Sequence, residues 1–273
     1  MIKKLVTLVV TICLSSDAYS QSLTFKDCIE RLAASRARVL SYVAVAKVVE
    51  YRSETFSDKK YFSAVTNQYE CVSDRTAKCS LIVRSASSAS VRDVERKHRV
   101  MLKRGEEFYF NAGRALKLEQ RQKAAGMFDP TVVGIGFCVE LLAFYEDWEV
   151  INNFRQWNTT SWPLRKEEGS LLAFGSKLGS GRKGQVAVFD KSKGYSISEL
   201  RLPEGSGVAF QCFYKKIDGH WLPTSALYQC AGDGGMVIEI DWIQINKPID
   251  RRVFDPRWVS EQTELEYSPG GRQ

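Results

Sequence analysis

Histidine is scarce in this chain, with two in 273 residues, His98 and His220. A serine or cysteine nucleophile needs a base within hydrogen-bond reach, so this chemistry has little to draw on. His98 stands in the charged run Arg92–Arg104 and His220 beside a turn, and both read as surface residues. G-x-S-x-G, a P-loop and H-E-x-x-H are all missing, which removes common signatures of hydrolases, nucleotide binders and zinc proteases. C-x-x-C is missing too, so the spacing of the seven cysteines is not that of a zinc site, and only two histidines could add nitrogen ligands. No catalytic residue, cofactor or metal is expected. Long apolar runs are also lacking: Leu5–Leu14 has ten residues, against the roughly 20 that span a bilayer.

The short run has another meaning. Lys3 and Lys4 precede it and the small-x-small triplet Ala18-Tyr19-Ser20 follows, which together make a secretory signal over residues 1–20. Ile12 stands before Cys13 where a lipoprotein needs a small residue, so the expectation is a periplasmic or otherwise exported protein, beginning at Gln21 without lipid. Cleavage takes two lysines and Asp17, lowering the net charge from +7 by one. Export permits disulfides. Cys71 and Cys79 flank the polar loop Val72–Lys78, and a hairpin there predicts a bridge between them. The pairing of Cys28, Cys138, Cys212 and Cys230 stays open.

The remaining chain, residues 21–273, reads as one domain rich in antiparallel β-structure. Ser22–Leu40 predicts a helix, with Thr24 as N-cap, Asp27 closing a capping box, and Ile29, Leu32, Ala33 and Leu40 at helical spacing. Strands are predicted over Ser41–Tyr51, Tyr61–Cys71, Cys79–Ser87, Val94–Lys103, Glu107–Ala112 and Leu171–Gly175. Thr131–Tyr145 is almost uncharged and Asp147–Trp157 suggests a short amphipathic helix. From Gly184 onward four strands follow: Gln185–Asp190, Tyr195–Leu202, Val208–Ile217 and Trp221–Gln229, the last two joined by Asp218-Gly219. A closing strand, Met236–Ile245, alternates apolar Met236, Ile238, Ile240 and Trp242 with Val237, Glu239 and Asp241. The tail beyond Asp255-Pro256 loses periodicity and is expected to fray.

Three patterns invite function and each has a plainer reading. Glu239 and Asp241, two residues apart, lie about 7 Å from each other on a strand, within range of a glycosidase pair. They are also what the wet face of a half-covered sheet carries. The basic run Val91–Arg104, near Tyr109 and Phe110, has nucleic-acid character. In an exported chain charged edge protection explains it better, and no nucleic-acid partner is expected. Gly232–Gly235 follows a strand and precedes another, so it is a turn rather than a phosphate cradle.

In order of parts the chain resembles the lipoprotein localisation factor-like (LolA/LolB-like) family of bacterial envelope proteins. The likeness is local in FYKKIDGHWLPTSALYQ (Phe213–Gln229) and in IDWIQINKPIDRRVFDP (Ile240–Pro256). It implies an α+β fold, mostly antiparallel: a curved, incomplete β-barrel covered by helices and enclosing an apolar cavity. Thr131–Phe144 would serve as its lid. The expected function is a soluble, monomeric envelope protein that holds a lipid, a lipoprotein acyl chain or another apolar ligand. Phe210, Tyr214, Met236, Ile238, Ile240 and Trp242 are its candidate lining, and its basicity suits contact with an anionic membrane surface. Two alternatives stay open: a structural or protein-interaction module whose barrel its own side chains fill, and a carboxylate-dependent hydrolase.

Overall fold

The computed structural model describes residues 23–56, 59–87, 98–105, 107–111, 117–119, 129–133, 162–177, 183–201, 208–229 and 235–267. The secretory signal, the lid beyond Val133, the helix expected over Asp147–Trp157, Cys138, Cys230 and the first half of the basic run lie outside them.

Among the described residues there are thirteen strands in one sheet. The first six are β1 (Ser41–Phe56), β2 (Lys59–Asp74), β3 (Cys79–Ser87), β4 (His98–Arg104), β5 (Glu107–Asn111) and β6 (Lys117–Glu119). The others are β7 (Leu164–Glu168), β8 (Leu171–Lys177), β9 (Lys183–Asp190), β10 (Ser196–Arg201), β11 (Val208–Ile217), β12 (His220–Gln229) and β13 (Gly235–Ile245). Each set meanders between antiparallel neighbours, and pairing of β1 with β13 joins the two; β6 and β7 are the edges, so the sheet is not closed. Strands β6 and β7 are additions to the sequence reading. Leu164–Glu168 (LRKEE) is mostly exposed charge, which carries no apolar alternation but suits an edge strand.

Turn chemistry agrees with the pairing. Asp218 at φ 46° and Gly219 at φ 84° make the two-residue turn between β11 and β12 left-handed at both positions, as a twisted hairpin requires. In β13, Met236, Ile238 and Ile240 are buried while Glu239 and Asp241 are exposed. Beyond Trp242 the phase changes. Ala44 pairs with Trp242 but Val43 pairs with Gln244, so Ile243 is the extra residue of a bulge and stands 64% exposed.

The helix α1 (Phe25–Ala37) has the expected cap, with Thr24 Oγ1 accepting from the Asp27 amide and Asp27 Oδ2 accepting from the Thr24 amide. It ends before Leu40, which is half exposed rather than part of the buried stripe. Phe25, Cys28, Ile29, Leu32 and Ala33 bury against one face of the sheet. Phe25 touches Phe174 of β8 and Phe189 of β9, whereas Arg36 reaches β10 and the start of β12. The helix therefore crosses the strands.

The opposite face has its own core. Cys79, Leu81, Val100 and Leu102 pack there with Phe254 and Val259. Val259 belongs to α2 (Pro256–Tyr267), so the stretch expected to fray beyond Asp255 is helical and its first turns cover the sheet. One helix on each face explains why β3 is buried on both: Ile82 faces the α1 side and Leu81 the α2 side.

That alternation overturns the expected Cys71–Cys79 disulfide. Cys71 pairs with Ile82 and Asp74 with Cys79, so the two cysteines are offset by an odd number of residues. Side chains on a strand switch face at every residue. Cys71 accordingly packs in the α1-side core and Cys79 in the α2-side core, with the sheet between them and no bond joining them.

Candidate functional site

All six candidate lining residues face the α1 side of the sheet. Phe210, Tyr214, Met236, Ile238 and Ile240 are buried in its core, and Trp242 is packed against it, partly covered. They come from two strands, β11 and β13, and register links them through β12: Phe210 pairs with Tyr228, and Tyr228 in turn pairs with Met236. The Phe210 and Tyr228 rings lie 4.6 Å apart. Trp242 sits edge-on to Tyr42 at 5.6 Å and its indole N–H donates to the Pro223 carbonyl at 2.7 Å.

This apolar face has two differently built ends. At one, α1 fills the space with aromatic rings: Phe25 stacks on Trp162 at 4.8 Å and meets Phe174 and Phe189 edge-on. The other end holds Phe210, Tyr228, Met236 and Ile238. Tyr228 lies seven residues along β12 from Trp221, roughly 23 Å at strand rise. A helix crossing the strands is about 10 Å wide. The helix seated at Trp221 therefore does not reach Tyr228.

Polar groups enter this core in two places that the sequence reading passed over. Arg36, on the buried side of α1, is 2% exposed. One Nη donates to the Trp221 carbonyl, the other to Ser196 Oγ at 3.3 Å, and the guanidinium lies 5.3 Å from the centre of the Tyr214 ring. The Tyr214 hydroxyl donates to the Ile197 carbonyl at 2.8 Å. Burial drives these groups away from charge: it lowers the Arg36 guanidinium below its ordinary value, raises the Tyr214 hydroxyl well above its own, and pushes the Cys212 thiol to about 12.

The second place is centred on Asp129. Its carboxylate accepts from Tyr42 Oη at 3.0 Å, from the Thr131 amide at 2.8 Å and from Thr131 Oγ1 at 2.7 Å. Arg75 completes the group, with one Nη 3.3 Å from Asp129 and 2.6 Å from Thr131 Oγ1, and the other donating to the Arg36 and Val39 carbonyls at 3.0 Å. Arg75 thereby joins the end of α1 to the 3-10 turn Pro130–Val132, and Val133 just beyond is fully buried. Arg36 was legible in principle: it continues the spacing Phe25, Cys28/Ile29, Leu32/Ala33. Arg75 and Asp129 lie in loops, and no local pattern relates them.

The residues that suggested catalysis are placed as surface. Glu239 faces solvent 3.9 Å from Lys47, its cross-strand partner, and Asp241 is exposed. His220 Nε2 lies 3.1 Å from the Asn246 side-chain amide at the end of the sheet. Among the described residues no group of three or more His, Cys, Asp and Glu is placed to hold a metal ion. Among them, too, no helix is long and apolar enough to cross a membrane.

No protein-family model matches the chain, and no curated protein does. Solved structures similar to it include a DUF1329 family protein from Desulfovibrio piger, 12% identical, covering 84% of this chain and 96% of its own, with a TM-score of 0.40. The LolA superfamily protein NE2245 from Nitrosomonas europaea is 10% identical over 86% of this chain and 98% of its own, also at 0.40. LprF from Mycobacterium bovis is 11% identical over 83% and 96%, at 0.31.

Proposed function

We propose that this chain is an exported, non-enzymatic carrier whose sheet forms a half-barrel holding the acyl chain of a lipid or lipoprotein, or another apolar ligand, on its α1 side. One observation carries the reading. Phe210, Tyr228, Met236 and Ile238 form a continuous, buried apolar face that extends along the sheet beyond the reach of α1. Burial of apolar surface is worth about 25 cal/mol per Å², and an acyl chain taken in against these side chains gains about 0.8 kcal/mol for each buried CH₂. The protein acts as a monomer and meets an anionic membrane surface through its basic residues. Titration of the secreted full-length protein with a fluorescent fatty-acyl probe tests this. Saturable binding, displaced by unlabelled lipid, is expected; absence of saturable binding by folded protein would end the carrier reading.

A second reading has its own support. At the α1 end Phe25, Trp162, Phe174 and Phe189 fill the space with interlocked rings, and a protein packed this way throughout would be a structural or protein-interaction module. The same titration separates the two.

A further inference from the structure

Arg36 is a buried cation that, among the described residues, has no anion in contact with it. Arginine stays protonated at any physiological pH and offers five N–H donors. Here the Trp221 carbonyl and Ser196 Oγ take two of them, and Nε, fully shielded from solvent, has no partner. Both acceptors are neutral. Tyr214 and Cys212, the nearest ionisable side chains of the sheet, are held neutral by burial. A second guanidinium, Arg75, is bound to the Arg36 carbonyl at 3.0 Å. Its carboxylate, Asp129, is committed to Arg75, Tyr42 and Thr131. Among the described residues Arg36 therefore contacts no carboxylate, and the one bonded to its neighbour Arg75 is Asp129.

A charge taken out of water needs a partner of opposite sign. The place where that partner would sit is informative, because Tyr214, against the Arg36 guanidinium, is also part of the apolar face. From Tyr214 the face runs four residues along β11 to Phe210, roughly 13 Å, with Met236 and Tyr228 beside it. One end is cationic and the rest apolar.

We propose that Arg36 receives the anionic head, carboxylate or phosphate monoester, of a single-chain amphiphile whose hydrocarbon lies along Tyr214, Phe210 and Met236. This rests on the carrier reading and names its ligand class. The guanidinium fork suits either head because both present two oxygens to parallel N–H donors. Arg36 is then the specificity-determining residue of the site.

The experiment compares cis-parinaric acid with its methyl ester on the folded full-length protein, followed by fluorescence, for the parent and for Arg36→Met and Arg36→Lys. Dodecyl phosphate and dodecanol serve as competitors. The parent should bind the acid at least tenfold more tightly than the ester, Arg36→Met should bind both alike, and Arg36→Lys should keep part of the preference. Displacement by dodecyl phosphate more strongly than by dodecanol assigns a phosphate head; equal, weak displacement by both leaves the carboxylate. Equal binding of acid and ester by the parent overturns the inference while the carrier reading stands. So does a preference that survives in Arg36→Met, because Arg36 would then only tie α1 to β10 and β12. Failure of both probes to bind overturns the carrier reading and this inference together. Should Arg36→Met not fold, the acid-to-ester ratio in the parent and in Arg36→Lys decides.

Discussion

Arg75 and Asp129 meet at 3.3 Å with both side chains 12% exposed, and the pair fastens two segments that are far apart in the chain. Arg75 sits in the β2–β3 turn and holds the last carbonyls of α1, while Asp129 caps the 3-10 turn that follows it. A pair so placed serves position more than strength. Replacing a buried ion pair with apolar groups is often neutral, whereas removing one partner strands the other.

The first prediction follows directly. Asp129→Ala removes the carboxylate that balances the Arg75 charge and accepts from Tyr42, and should lower unfolding stability by about 3–5 kcal/mol. Asp129→Leu combined with Arg75→Met should recover most of that loss. Urea denaturation of the two single variants and the double variant gives the coupling energy. A double variant as unstable as the sum of its parts would show that the two residues act separately.

A second prediction concerns acid. Hydrogen bonds from Thr24, first its side chain and then its backbone, hold the Asp27 carboxyl below its usual value of 3.8. A carboxylate whose pKa falls on folding stabilises the fold above the unfolded value, and loses that contribution as pH drops through the folded one. Asp27→Ala should therefore cost about 0.3–1 kcal/mol near neutral pH, in keeping with a charge in the first helical turn. The gap between variant and parent should close below pH 4. Thermal melts of both proteins between pH 7 and pH 2.5 measure it, and a constant gap would mean that the carboxylate's charge is not what stabilises the cap.

The cysteines give a third. Peptide mapping without reduction should yield no Cys71–Cys79 cross-link, because the sheet separates them. Burial pushes the Cys28 and Cys212 thiols to about 12, so at pH 8 both should resist an aqueous thiol reagent until denaturant is added. Fast labelling of either in the native protein would place α1 or β11 differently.

The fourth separates the faces of β13. Ile240 is buried on the α1 side and Glu239 is exposed beside Lys47. Ile240→Glu should weaken binding of a fluorescent lipid at least tenfold, and Glu239→Ala should change it less than twofold. Circular dichroism first establishes that each variant is folded, and Ile240→Ala supplies a milder probe of the same position. Equal loss in the Glu and Ala variants at 240 and 239 would mean that the ligand does not touch this face.

What the sequence determined by itself was local. The capping box at Thr24 and Asp27, the Asp218-Gly219 turn and the alternation of Met236 to Ile240 each depend on residues within a few positions, and each was found where expected. Strand faces in the late hairpins followed, because period two is written in neighbouring side chains. Tertiary structure decided the rest. Hairpin register put Cys71 and Cys79 on opposite faces, and a shift of one residue in pairing would have reversed that. Packing turned the aperiodic tail into α2, since Val259 is buried in a cluster with Leu81, Val100 and Leu102 from across the chain. The meeting of Arg75 with Asp129, and the enclosure of Arg36 by Trp221, Ser196 and Tyr214, join residues between 54 and 185 positions apart. No local pattern encodes such distances; they exist only once β1 and β13 pair and bring the two meanders together.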